Sequence, residues 1–244
     1  MHNISVKIPG AGKISIPHYP IDMIAANERA ASFTKRSIKN TSKLDALYLA
    51  VSMIDLTTLE GMDTPGKVKQ LCGKAINPVP SSIQERMEKY ENYRQIPKVG
   101  AVCVYPNMVP TAVECLKGSG IGIASVATAF PSGQLPIDIK LSDVKRAVKF
   151  GATEIDMVID RGAFHCGEYQ KVFDEIYKVK EVCGAQTDKM SVIPTAKTPR
   201  SIIILSGTVL NEVIPSKANE SIFLSGYFDS PANLSTLSYS TTEL

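Results

Sequence analysis

The stretch ATEIDMVID, residues 152–160, sets an acidic residue in the middle of an aliphatic run. Successive side chains on a strand point to opposite faces, so Ile155, Met157 and Ile159 share one face and Glu154, Asp156 and Val158 the other. The first face is wholly apolar and suits a covering of helices. The second points into an interior, where an ionised carboxylate is costly unless it is paired or hydrogen-bonded. Three more segments have the same character: AVSMIDLTTL (50–59), VGAVCVYP (99–106) and GIASVATAF (122–130), the last carrying Thr128. In the first of these, Ile54 and Leu56 take the helix side and Met53, Asp55 and Thr57 the inner side. In the second, Val102 and Val104 face outward and Ala101, Cys103 and Tyr105 inward. Asp55, Thr57, Cys103 and Asp156 are thereby presented to one interior, near the strand ends where parallel barrels carry catalytic groups. An inward cysteine alone reads most simply as a small core residue, and Asp55 could serve only to hold a backbone N–H. The four together, with Asp156 set amid aliphatics, point to a buried site.

Between these segments the apolar period changes from two to that of a helix. Thr64 and Pro65 read as an N-cap and first helical residue, followed by Val68, Leu71, Cys72 and Ala75 on one face. Asn107 is expected to cap a helix facing inward through Val109, Ala112, Val113 and Leu116. Ser142 is expected to cap a short one carrying Val144, Ala147 and Val148 and ending at Gly151. Val172, Ile176, Val179 and Cys183 form a fourth stripe, closed by Gly184. Residues 1–20 read as extended surface chain, Ile21–Lys39 as a lead-in helix, and Asn77–Lys98 as an elaborated helix and loop. Strands alternating with helices imply right-handed crossovers and a parallel α/β sheet. Four such units are half of an eight-fold barrel or most of a small doubly wound sheet. After about residue 185 the repeat is expected to stop in an irregular, Ser- and Thr-rich tail.

Composition excludes several function classes. The 244 residues are 44% hydrophobic, enough for one sizeable core, and the net charge of +3 has no basic run interleaved with aromatics. No nucleic-acid or membrane partner is expected. The N-terminus has no apolar signal region, and no apolar run approaches the roughly 20 residues of a membrane helix. The five cysteines are scattered and the three histidines lie outside metal-ligand spacing. There is no G-x-G-x-x-G or G-x-x-x-x-G-K-[ST] pattern. The expectation is a soluble cytoplasmic protein with no cofactor and no metal.

The segments IDLTTLEGMDTPGKV, AVCVYP, IASVATAFPSGQ and GATEIDMVI, in that order, resemble deoxyribose-phosphate aldolases, most of all the animal forms, over about residues 28–185. The resemblance implies a TIM barrel, (β/α)8, and a class I aldolase, a carbon–carbon lyase without a cofactor. Its reaction is the reversible cleavage of 2-deoxy-D-ribose 5-phosphate to glyceraldehyde 3-phosphate and acetaldehyde through a lysine Schiff base. It makes Asp156 the catalytic proton-relay residue, Cys103 a residue of the substrate pocket, and Asp55 and Thr57 pocket-lining, with a sugar phosphate as partner. The family's later K-T-S-T-G-type lysine motif and glycine-rich phosphate loops are not recognisable from residue 186 on. Lys197, in PTAKTPR, reads as a solvated loop lysine. The chain is therefore expected to divide into an extension (1–40), a half-barrel (41–185) and a divergent tail (186–244), with little or no turnover. Open barrel edges, with Ser201–Leu210 a candidate edge strand, would favour homo-oligomers and marginal stability. The alternative is a non-catalytic half-barrel that binds or regulates a partner.

Overall fold

Thr64 accepts a hydrogen bond on its side chain from the Lys67 N–H and starts helix α3 (Pro65–Ile76), whose Val68, Cys72 and Ala75 are buried. A helix placed by such local signals covers one face of a sheet, and here the sheet follows chain order. The structure, a computed structural model, describes residues 3–16, 20–90 and 93–184, and the backbone of 189–193 and 222–224. Strands β3 (Asp55–Thr57), β4 (Ala101–Val104), β5 (Gly122–Ala127), β6 (Glu154–Val158), β7 (Lys189–Ile193) and β8 (Ile222–Leu224) lie side by side in sequence, each parallel to the next.

An order without reversal puts successive crossovers on one side, which is the winding of a (β/α)8 barrel and not of a doubly wound sheet. The core agrees. Val102, Val104, Ile155 and Met157 pack with Val68 of α3, Ala112 of α5 (Val109–Leu116), Val144 of α6 (Ile137–Phe150) and Val179 of α8 (Tyr169–Cys183). Cys103, Ala124 and Val126 form a separate buried cluster on the opposite face.

Four local readings differ from the structure. Ala50–Ser52 are not strand but the end of helix α2 (Asn40–Ser52), whose leucines and alanines favour helix. Asn107 caps nothing: a short 3-10 turn, Pro106–Met108, leads into α5. Ser142 lies inside α6, which starts earlier because Pro136 sets an extended approach and Asp138 favours the first turn. Residues 1–20 contain a hairpin, β1 (Ile4–Ile8) and β2 (Gly12–Ile16), rather than only extended chain. It docks on α8, where the Gln170 amide accepts from Lys7 N at 2.6 Å and donates to Lys7 O at 3.0 Å. The lead-in helix is α1 (Met23–Thr34), capped by Asp22, and helix α4 (Ser81–Met87) lies in the elaborated loop. Gly151, at φ +100°, and Gly184 end α6 and α8 as expected. The sheet also runs two strands past residue 185, because β7 and β8 pair in register with what precedes them. Lys197 and Ser201–Leu210 lie outside the described residues.

One polar contact is sealed inside the helix layer. Lys140 of α6 and Glu175 of α8 are both buried and form an ion pair, and the other Glu175 oxygen accepts from Asp160 N at 2.9 Å. Removing one partner strands a buried charge, at a cost of about 3–5 kcal/mol. Urea unfolding of Lys140→Met should show a loss of that size. The double variant with Glu175→Gln, which keeps an acceptor for Asp160 N, should recover most of it. A single variant within about 1 kcal/mol of the parent would contradict the pair's role.

Candidate functional site

The face of the sheet turned away from α3, α5, α6 and α8 is built from small and polar residues. Ala101, Gly122 and Ala124 are neighbours across β4 and β5 and leave room for longer side chains. Gly122 is needed there: a Cβ would lie 2.6 Å from Glu154 Oε1 and 3.3 Å from the Ala101 Cβ. Into this space β4 and β6 bring Cys103 and Asp156. The Cys103 thiol donates to Asp156 Oδ2 with a sulfur–oxygen distance of 3.3 Å. The two residues stand on strands separated by β5, so the contact bridges the face.

Of the four predicted residues, the structure brings Cys103 and Asp156 into contact and sets Asp55 close by. Asp55 opens β3 beside Ala101, with its carboxylate near Gly100, and its charge reaches Cys103. Thr57 is in register with Cys103, but it is exposed and its hydroxyl donates to Asp55 O at 3.1 Å. Glu154 belongs to the group and was not singled out; its shared parity with Asp156 was the available signal. Burial first, and then the charges of Asp156, Asp55 and Glu154, hold the Cys103 thiol well above the ordinary thiol range. Cys103 is therefore a protonated donor at neutral pH, unsuited to act as a thiolate.

The strand ends at the mouth of this face are also fixed. Tyr105 and Phe130 meet edge to face, with centroids 6.0 Å apart. Thr128 and Ala129 take left-handed backbone at φ 62° and 64°, a strained choice for non-glycine residues. Thr128 Oγ1 accepts from Val158 N at 2.6 Å and donates to Val158 O at 2.8 Å, continuing the β5–β6 pairing with a side chain. After β3, Asp63 gathers Thr58 Oγ1 at 2.8 Å, Lys67 Nζ at 2.7 Å and Glu60 N at 3.0 Å. This clamp on the loop was not read from the sequence. Among the described residues, no three or more His, Cys, Asp and Glu side chains are placed to hold a metal, and no helix is long and apolar enough to cross a membrane.

A family model described as "DeoC/LacD family aldolase" matches residues 49–198. The chain is 38% identical over 152 residues to the deoxyribose-phosphate aldolase of Homo sapiens and 40% over 152 residues to that of Mus musculus. Each match covers 62% of this chain and 47% of the relative, so the chain spans about half the length of these curated relatives. A solved tetrameric deoxyribose phosphate aldolase from Aeropyrum pernix matches at a TM-score of 0.43 and 21% identity, over 59% of this chain and 52% of that one.

The thiol's surroundings give a pH dependence. A group whose folded pKa is raised binds its proton more tightly in the native state. Its stabilisation is complete below the unfolded thiol value, about 8.5, and is lost as pH rises through the folded one. Cys72, pushed up to about 11 by burial and then by Cys115, acts in the same direction. Urea unfolding between pH 8 and 10 should therefore show falling stability, by at most about 1.4 kcal/mol per pH unit for each thiol. Cys103→Ala should have the shallower slope, and an unchanged slope would remove Cys103 from the account. In native protein at pH 8, iodoacetamide should label exposed Cys166 well before Cys103.

Proposed function

Because the chain belongs to the DeoC/LacD aldolase family, we propose that its inner face derives from the site of a deoxyribose-phosphate aldolase. The reaction of that site is the reversible cleavage of 2-deoxy-D-ribose 5-phosphate to glyceraldehyde 3-phosphate and acetaldehyde. The observation that carries the reading is the contact between Cys103 and Asp156 within the family-matched segment. In such a reaction a lysine amine adds to the carbonyl and loses water. The resulting iminium withdraws the electron pair of the breaking carbon–carbon bond. Protons must move at the carbinolamine and at the enamine carbon. Asp156 is the group suited to carry them, because it is a carboxylate inside the sheet, held by a thiol donor on one oxygen. Cys103 orients that oxygen and lines the pocket, Asp55 completes its acidic side, and Thr57 borders it. The sugar phosphate is the partner, the cytoplasm the location, and residues 41–185 the functional unit.

We further propose that this chain turns over little or no substrate by itself. The amine, by the resemblance, belongs to a later strand in a K-T-S-T-G-type motif, which residues 186–244 do not contain. Its matched relatives extend to about twice the length covered here. Incubation with 2-deoxyribose 5-phosphate and borohydride, followed by mass spectrometry, tests both parts. The expected result is no reduced adduct on this chain while a full-length deoxyribose-phosphate aldolase run in parallel is labelled. A single adduct mapped to one lysine would show that the chain forms the Schiff base and would overturn the inactive reading.

A further inference from the structure

Two cysteines on the far side of the sheet meet outside the site just described. Cys72 lies on the buried face of α3 and Cys115 on the last turn of α5, and these two helices pack side by side behind β4. Cys72 belongs to the core cluster between these helices, Cys115 packs against the same cluster, and after burial it is Cys115 that acts most on the Cys72 thiol. Cys72 is sealed in the helix-side core, whereas Cys115 is partly open to solvent and packs against that core from its edge. The chain holds five cysteines, and Cys103, Cys166 and Cys183 stand on other elements: β4, the end of α7 (Arg161–His165) and the end of α8.

We propose that Cys72 and Cys115 are a redox pair, converted by a peroxide into a reversible disulfide that clamps α3 to α5. The accessible member reacts first. The Cys115 thiolate attacks one peroxide oxygen; the sulfur–oxygen bond forms, the oxygen–oxygen bond breaks, and hydroxide leaves and is protonated to water. The Cys72 sulfur then attacks the Cys115 sulfenic acid. The sulfur–sulfur bond forms, the sulfur–oxygen bond breaks, and the departing hydroxide takes up the Cys72 proton. Two thiols and one hydrogen peroxide thus become one disulfide and two waters. Burial, followed by the charge on Cys115, pushes the Cys72 thiol up to about 11, which fits it to the role of a resolving thiol that waits for an oxidised neighbour. The pair is independent of the aldolase reading, because neither sulfur touches the inner face.

The test uses the full chain, folded, with hydrogen peroxide as the probe and non-reducing peptide mapping as the readout. The expected result is one cross-linked peptide pair joining α3 to α5, two hydrogens lighter than its parts, and a fall in free thiols from five to three. Dithiothreitol should restore all five. Cys115→Ser, a change at a partly exposed position, should leave Cys72 unmodified under the same treatment. The same oxidation in urea should scramble the pairing among all the cysteines. Cys115 halted at the sulfenic or sulfinic acid beside a free Cys72 would overturn the proposal. So would a native cross-link through Cys166, or a native pairing pattern no more selective than that in urea.

Discussion

A carboxylate inside a protein is stable only where donors reach it, and a parallel sheet wound in one direction offers few places for them. Helices cover one face of this sheet with Val, Ile, Met and Ala, and the Cys103 thiol and the Asp156 carboxylate meet on the other. Asp156 is accommodated there because Cys103, two strands away, turns its thiol onto one carboxylate oxygen. The contact spans β5, where Ala124 stands beside Cys103, and Gly122 further along the strand leaves the room that Glu154 occupies.

Much of this was legible in the sequence, for physical reasons. The period-two pattern of ATEIDMVID and AVCV assigned Ile155, Met157, Val102 and Val104 to the helix layer and Cys103 and Asp156 to the opposite face, as found. Thr64–Pro65, Gly151 and Gly184 marked helix ends because capping and positive φ are local requirements. What was not legible depends on tertiary neighbours. Ala50–Ser52 have the apolar character of a strand but continue a Leu- and Ala-rich helix. Asn107 and Ser142 have capping side chains, yet prolines nearby set the actual starts of their helices. The Lys140–Glu175 pair joins residues 35 apart in sequence, and nothing in either helix's own pattern announces it. The strands after residue 185 were hidden because their short apolar runs stand in a Ser- and Thr-rich context, and they join the sheet by pairing, β7 with β6 and β8 with β7.

The site itself was partly legible. Asp156 and Cys103 stood out because their chemistry conflicts with their surroundings, and the structure brings them into contact. Thr57, chosen by the same parity, is exposed and bonded to its own strand, so parity alone overstates the site at the short edge strand. Glu154 shows the converse error, since it shares the parity of Asp156 and was not singled out, although it lies over Gly122. The chain therefore carries a buried thiol–carboxylate contact within the segment that matches the DeoC/LacD aldolase family.

The most direct test of this account is the infrared S–H stretching band of Cys103, isolated as the difference between the parent and Cys103→Ala, and measured again in Asp156→Asn. A thiol donating to a carboxylate should absorb at a lower frequency than a free buried thiol, and the band should move upward when the carboxylate becomes an amide. A band at the free-thiol position that is indifferent to Asp156 would contradict the contact on which the inner face is built.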